Sequence, residues 1–228
     1  MTEGLFVISN AIVPPDGLSR YSIDERFNQT LETIDSIDKY CPNSEKIMFD
    51  ASAVRPDKKY FDELASRKIT VMYTGQNPNV NQLSKRDAKS PAEVFSFLMV
   101  LNWINDLEIQ SKRIYKISGR YQLNENFVPG LEHEGKYVFT VPTKTWMSQD
   151  QIDLVGVDHV YQSRLLHFDR SLLKQTIEEL ENVLRDCLEL GIDVEHGYYK
   201  YFKKFSPIEM EVIGLCGNIA PTGEYINE

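Results

Sequence analysis

Three short strand-like runs in the first third of the chain, residues 5–8, 46–49 and 69–73, are separated by helix-patterned stretches, and each ends at a polar or glycine-bearing segment. That alternation constrains the fold more than any other feature. Strands with so little polar alternation need cover on both faces, and parallel neighbours joined through helices supply it, with right-handed crossovers. Between the first two runs, Ser22-Ile-Asp-Glu25 has the spacing of a capping box. Ile23, Phe27, Leu31, Ile34 and Ile37 then recur at intervals of three and four, which predicts a helix to about Lys39. Residues 57–67 suit a second helix, so the first 75 residues read as a nucleotide-binding half built of strand-helix-strand units.

Residues 76–89 are polar, with Asn77-Pro78 and the basic cluster Lys85, Arg86 and Lys89, and read as a loop. Ser90-Pro-Ala-Glu93 combines an N-cap, a first-turn proline and a capping glutamate, and residues 94–104 are apolar on nearly every side, which predicts a helix beneath the sheet. A fourth strand, 113–117, opens into Ser118-Gly119-Arg120-Tyr121. Residues 137–141 and 160–168 supply two more strands, giving a six-stranded mixed sheet. A long helix capped at Asp169 or Ser171 and stopped by Gly191 follows, then a tyrosine- and lysine-rich helical piece over 194–205 and a short strand and turn over 212–223. The fold class is α/β, in one domain spanning 1–228.

At 228 residues, 42% hydrophobic and 26% charged, the chain can bury a core without staples. Its formal charge of -9 argues against nucleic acid as a partner, because a phosphate-backbone binder needs a broad basic face. Cys41, Cys187 and Cys216 are odd in number and far apart, as expected of reduced core thiols in a cytosolic protein. No basic leader or apolar run of membrane-spanning length is present, so the expectation is a cytoplasmic protein with no transmembrane segment.

The strand ends Asn10, Asp50, Thr74 and Ser118 should fall along one sheet edge, where open α/β sheets put their ligands. Arg120 offers a rigid fork of donors for phosphate, and Gly119 permits close backbone approach, so Ser118-Gly119-Arg120 reads as a diphosphate grip; the bland alternative is a surface ion pair and a strand-ending glycine. Asp50 has two readings, accepting from a ribose or base, or capping the turn near Ser52. Arg26 has no carboxylate three or four residues away on its helix, which frees it to reach the cleft. Carboxylates neighbour histidines at Glu132-His133-Glu134, Asp158-His159 and Glu195-His196. Adjacent helical side chains point apart, so only one of Glu195 and His196 would face a site, as general base or metal ligand, and both are equally readable as solvated. No zinc motif, P-loop, Gly-x-Gly-x-x-Gly or Gly-x-Ser-x-Gly occurs. Trp146 reads as core packing ahead of a sugar platform, and Tyr198, Tyr199 and Tyr201 as helix packing or acceptor lining.

The order of these elements, with the helix Arg26-Phe-Asn-Gln-Thr30-Leu-Glu-Thr-Ile34-Asp-Ser-Ile37 and the segment Lys116-Ile-Ser-Gly-Arg-Tyr121, resembles small bacterial and viral nucleotide-sugar glycosyltransferases of the GT-A fold over residues 4–190. The resemblance implies a Rossmann-like domain with helices on both faces of a mostly parallel sheet and a C-terminal helical segment. It divides the chain into a nucleotide-binding half, 1–123, and an acceptor half, 124–228. It implies transfer of a sugar from a nucleoside diphosphate, of UDP type, to a glycan or lipid-linked acceptor in polysaccharide synthesis. Base and ribose would lie near Ser9, Asn10 and Asp50, and the diphosphate near Lys89, Ser118 and Arg120. Members of that group usually present Asp-x-Asp at the fourth strand's end to hold manganese or magnesium. Here that place reads Ser118-Gly119-Arg120, which puts the metal in doubt and turns attention to Arg120 or Lys89 as the neutralising charge. Candidate bases past the fourth strand are Glu195 first, then Asp158 and Glu132, with His196 a possible metal ligand.

A rival reading keeps the fold but not the chemistry: a silent nucleotide-sugar or glycan-binding module. A nucleotidyltransferase would normally carry a glycine-rich loop after the first strand, for which Pro14-Pro15-Asp16-Gly17 is a poor substitute.

Overall fold

In strand β1 (Thr2–Asn10), Leu5 and Val7 point into one hydrophobic cluster and Phe6 and Ile8 into another, and all four are wholly buried. The period of two therefore runs through a strand covered on both faces, as a parallel sheet requires. The computed structural model describes residues 2–14, 19–85, 90–219 and 222–228. From β1 the chain passes through α1 (Ile23–Tyr40), β2 (Glu45–Asp50), α2 (Lys58–Ser66), β3 (Thr70–Tyr73), α3 (Pro78–Ser84), α4 (Ser90–Asp106) and β4 (Ser111–Ser118). The strands β3, β2, β1 and β4 lie side by side and parallel, in that order.

Beyond β4 the chain adds β5 (Tyr121–Leu123), β6 (Tyr137–Thr140), β7 (Thr143–Lys144), α5 (Gln149–Val155), β8 (His159–Val160) and β9 (Leu165–Asp169). It ends with α6 (Leu173–Glu189), α7 (Val194–Phe202), β10 (Ile208–Met210), β11 (Leu215–Asn218) and β12 (Tyr225–Asn227). The main sheet has seven strands in the order β10-β6-β9-β4-β1-β2-β3, with β9 antiparallel to both its neighbours. The mixed, mostly parallel α/β sheet is the expected class.

Helices cover both faces. On one, α4 supplies Val94, Phe97, Leu98, Leu101 and Ile104 against Leu5, Val7, Ile47 and Phe49, with α6 and α7 behind. On the other, Phe27, Ile34 and Ile37 of α1 pack with Phe6, Ile8 and Met48. The start of α1 is fixed by the expected capping box: Ser22 Oγ accepts from Glu25 N at 3.2 Å and Glu25 Oε2 from Ser22 N at 2.7 Å.

Four expectations are corrected. The stretch 160–168 is not one strand, because the polar residues 162–164 break it into β8, which pairs with β7, and β9. The seventh strand, β10, joins the sheet edge parallel to β6. The stretch 76–89 contains α3, whose N-cap Asn77 accepts from Asn79 N and Val80 N with Pro78 at the first helical position; that Asn-Pro pair is a helix start as well as a turn signal. Helix α5 also went unread, although Ser148 and Gln151 form a full capping box. Cys41 and Cys187 are buried free thiols, while Cys216 is half-buried.

Candidate functional site

Sheet register brings the strand ends together: Asn10 lies opposite Asp50, and Ser9 opposite Ser118. Above this edge opens a cleft with about 710 Å³ of empty space, part of it open to solvent. Its walls include Ser9, Asn10, Arg26, Ser118 and Arg120 from the sequence-read set, together with Ser52, Ser84, Ala92 and Glu93.

Arg26, one turn into α1, is only 6% exposed and lines the cleft. Its Nη2 donates to Ala11 O at 3.3 Å, and its Nε is buried with no hydrogen-bond partner among the described residues. Burial, and after it the like charge of Arg120, pushes its pKa down to about 9, with Asp50 pulling the other way. Arg120 leaves the end of β4 half-buried, its guanidinium 5.5 Å from the centre of the Tyr121 ring, with Arg164 at 5.8 Å from the same ring. Gly119 N donates to Ser9 O at 2.8 Å, and a Cβ there would come within 3.2 Å of Ile8 Cγ2 and 3.4 Å of Asn10 Cγ. The close approach this glycine permits is therefore to the neighbouring strand. Asn10 Nδ2 donates to Thr30 Oγ1 at 2.7 Å, which ties β1 to α1.

Asp50 is fully buried and absent from the cleft wall. Oδ2 accepts from Ile12 N at 2.8 Å and Oδ1 from Ser52 N at 3.0 Å, while burial holds its pKa above the ordinary carboxylate value. Of its two readings the structure displays the turn-capping one, and the side chain does not line the cleft. Lys89 lies outside the described residues.

Glu93 was read as a helix cap, and sequence reasoning missed its place at the site. Oε1 sits 2.5 Å from Lys116 Nζ and accepts from Ser9 Oγ at 3.3 Å. Burial works against its ionisation, but Lys116 outweighs it and holds the carboxyl below its ordinary value. Lys116, wholly buried in mid-strand, also donates to Ser163 O at 2.5 Å, and Ser163 Oγ donates to Glu195 Oε1 at 2.5 Å. The available signal was a lysine inside the otherwise buried run 113–117, which demands a partner.

Glu195 thus joins the cleft wall through Ser163, Lys116 and Glu93, without lining it. Burial raises its pKa, and Glu93 and Asp193 add to the shift. His196 faces the other way. It is fully buried, its Nε2 meets Thr145 Oγ1 at 2.6 Å, and the Trp146 ring stands edge-on at 4.8 Å. The ring is buried and does not line the cleft, so the structure does not bring it together with Arg26 and Arg120. Asp158 is exposed, pairs with His159 Nδ1 at 2.8 Å and does not line the cleft. Glu132 is likewise exposed, beside His133. Trp146 is 62% exposed, against the core-packing expectation, because it caps His196 from outside. Tyr198 is buried, and Tyr201 donates to Asp186 Oδ2 at 2.8 Å.

No protein-family profile matches the chain, and no curated protein matches it in sequence. Solved structures do match. The apo structure of the bifunctional glycosyltransferase WbbM aligns with 92% of this chain and 38% of its own length, at a TM-score of 0.54 and 10% identity. The chain has a GT-A-like fold. It spans well under half of WbbM, and at that identity the likeness shows the fold alone. Two further matches are the 4-diphosphocytidyl-2C-methyl-D-erythritol synthase of Anaerococcus prevotii DSM 20548, at 13% identity, 91% and 86% coverage and a TM-score of 0.45, and a glycosyltransferase involved in glycosylating the major capsid of PBCV-1, at 8%, 90%, 80% and 0.46.

A divalent ion is implied by the fold, and the described residues do not fit one. Among the described residues no group of three or more His, Cys, Asp or Glu can hold a metal. Glu93, the acid in the cleft wall, is already bound by Lys116 and Ser9, and the position of Asp-x-Asp carries a guanidinium instead. No helix of the described residues is long and apolar enough to cross a membrane.

Proposed function

We propose that the chain transfers a sugar from a nucleoside diphosphate, of UDP type, to a glycan or lipid-linked acceptor in polysaccharide synthesis. One observation carries this reading: the cleft at the C-terminal edge of β1, β2 and β4 is lined by Arg26 and Arg120, cations suited to phosphate where this fold class places its ligand. In the reaction an acceptor hydroxyl oxygen bonds to the anomeric carbon, and the bond from that carbon to the diphosphate oxygen breaks with its electron pair leaving on the diphosphate. In this reading Glu195, behind the cleft wall, takes the hydroxyl proton, and burial raises its pKa above the ordinary carboxylate value, which strengthens it as a base. Ser163 orients its carboxylate.

The test is a donor panel of UDP-, GDP-, CDP- and dTDP-sugars, followed by release of free nucleoside diphosphate. Turnover, as transfer or as slow hydrolysis, supports the reading. Saturable binding with no turnover over many hours would instead make the protein a silent nucleotide-sugar-binding module. For Glu195→Gln the expected result is loss of transfer with donor affinity kept; near-normal turnover would hand the proton to Glu93.

A further inference from the structure

We propose that Arg26 and Arg120 together form a diphosphate subsite that works in place of a divalent cation, so that this chain binds its donor without metal. The inference rests on the nucleotide-sugar reading above and goes further by assigning the charge that meets the phosphates.

Arg26 is the decisive residue. A guanidinium carries five N–H donors, yet among the described residues Nη2 makes a single 3.3 Å bond and the buried Nε makes none. Leaving a buried donor unpaired is costly, and native structures rarely do so without a reason. The groups that act on Arg26 are Arg120, Asp50, Tyr21 and Tyr121. Asp50 is the carboxylate in that set; its oxygens accept from Ile12 N and Ser52 N, and it makes no hydrogen bond to Arg26. Arg26 and Arg120 both line the cleft, so two guanidiniums face one space and an anion entering it would meet both.

The same two charges oppose a metal. A divalent cation seated there would meet two guanidiniums, and Glu93, the acid among the described wall residues, is held by Lys116. Nor does the backbone at the strand end offer a substitute grip, because Gly119 N is spent on Ser9 O. The side chains therefore carry the phosphate recognition, drawn from two separate elements that α1 and β4 hold in place. Anchorage of Arg26 is secure: the Ser22–Glu25 capping box sets the first turn of α1, and Thr30, one turn on, bonds both Asn10 and Gly119 O.

Calorimetric titration of the full chain with UDP, GDP, CDP and dTDP, in EDTA and in manganese or magnesium, tests this. The expected result is one preferred nucleotide whose Kd is the same with and without metal. Arg26→Met and Arg120→Met should each weaken it about tenfold or more, while the apo melting temperature of Arg26→Met stays at or above wild type, since a desolvated cation has been removed. A purely structural arginine would lower that temperature and leave affinity unchanged. Should Arg26→Met fail to fold, Arg120→Met and Arg26→Lys take its place, the lysine keeping charge and therefore metal-free binding. Binding that EDTA abolishes overturns the inference and leaves the nucleotide reading standing; absence of binding by all four nucleotides, with metal and without, overturns that reading itself.

Discussion

Lys116 Nζ lies 2.5 Å from Glu93 Oε1, joining the middle of β4 to the first turn of α4 beneath the cleft. Lys116 is fully buried while Glu93 keeps 30% of its side chain exposed, so water reaches only one end of the pair. Removing the lysine alone leaves a carboxylate without its counter-ion and Ser163 O without its donor. Lys116→Met is therefore expected to cost about 3 kcal/mol, at the low end for a broken buried pair. For a chain of this size that is a fall of about 6–12 °C in melting temperature. A change inside about 1 °C would mean the pair contributes nothing net.

Two buried histidines set the acid limb of the stability profile. Burial, and then Arg113, hold His167 well below the ordinary 6.5, and burial lowers His196 as well. As pH falls through 6.5 the unfolded chain binds protons that the folded chain refuses, so their stability is present above that value and lost below it. Glu93, also lowered, extends the loss below 4.5. Glu195 and Asp50 are raised, so their contribution has the opposite sign and is lost as pH rises through their folded values. Comparison with a variant isolates the histidine part. In His167→Asn the amide oxygen can still accept from Arg113 Nε, which meets His167 Nδ1 at 2.5 Å. Between about pH 7 and pH 5, chemical denaturation should show wild type losing more stability than this variant. Equal slopes would show that His167 titrates normally.

The parallel half of the fold is legible because each strand there carries its own cover requirement. Leu5, Val7, Phe6 and Ile8 announce two buried faces, and Ser22 with Glu25 announces the helix between strands. The place of the cleft follows from topology, and Arg26 from the lack of a carboxylate at helical spacing. What was illegible depends on how distant segments cross. Glu93 satisfies a capping pattern, and nothing local says that α4 carries it under Lys116, 23 positions further along the chain. Asp50 was ambiguous because backbone donors from residues 12 and 52 and a ribose hydroxyl are equivalent partners in sequence terms. Trp146 departs from the expected core packing because its neighbour, the buried His196, lies 50 residues away.

Thr145 and His196 offer a test of that second buried ring. Among the described residues His196 Nδ1 has no partner, and the 2.6 Å contact of Nε2 with Thr145 Oγ1 is the one hydrogen bond of its ring nitrogens. Thr145→Val preserves shape and removes that bond, leaving the imidazole without a partner in a buried site. The expected cost is about 1–3 kcal/mol. Thr145 Oγ1 also accepts from Met147 N at 3.0 Å, so Thr145→Ser, which keeps the hydroxyl, should recover most of the loss. Failure of serine to do better than valine would move the explanation to packing.

Asp50 lets stability and ligand affinity be separated. Its carboxylate links Ile12 on one side to Ser52 on the other, and Ser52 Oγ in turn accepts from Val13 N at 2.9 Å, so one buried acid fixes both loops that rise beside the cleft. Asp50→Asn is nearly isosteric but replaces one acceptor by an NH2 group, which must face either Ile12 N or Ser52 N, donor against donor. An unpaired buried donor of this kind costs about 1–3 kcal/mol. The variant should therefore melt lower even with no ligand present, with any loss of nucleotide affinity following from the displaced loops. If instead Asp50 held a ribose hydroxyl, the apo protein would melt as wild type does and only affinity would fall. Melting curves of the two proteins, recorded with and without UDP, distinguish these outcomes, and an unchanged apo midpoint would remove the turn-capping role that the hydrogen bonds assign.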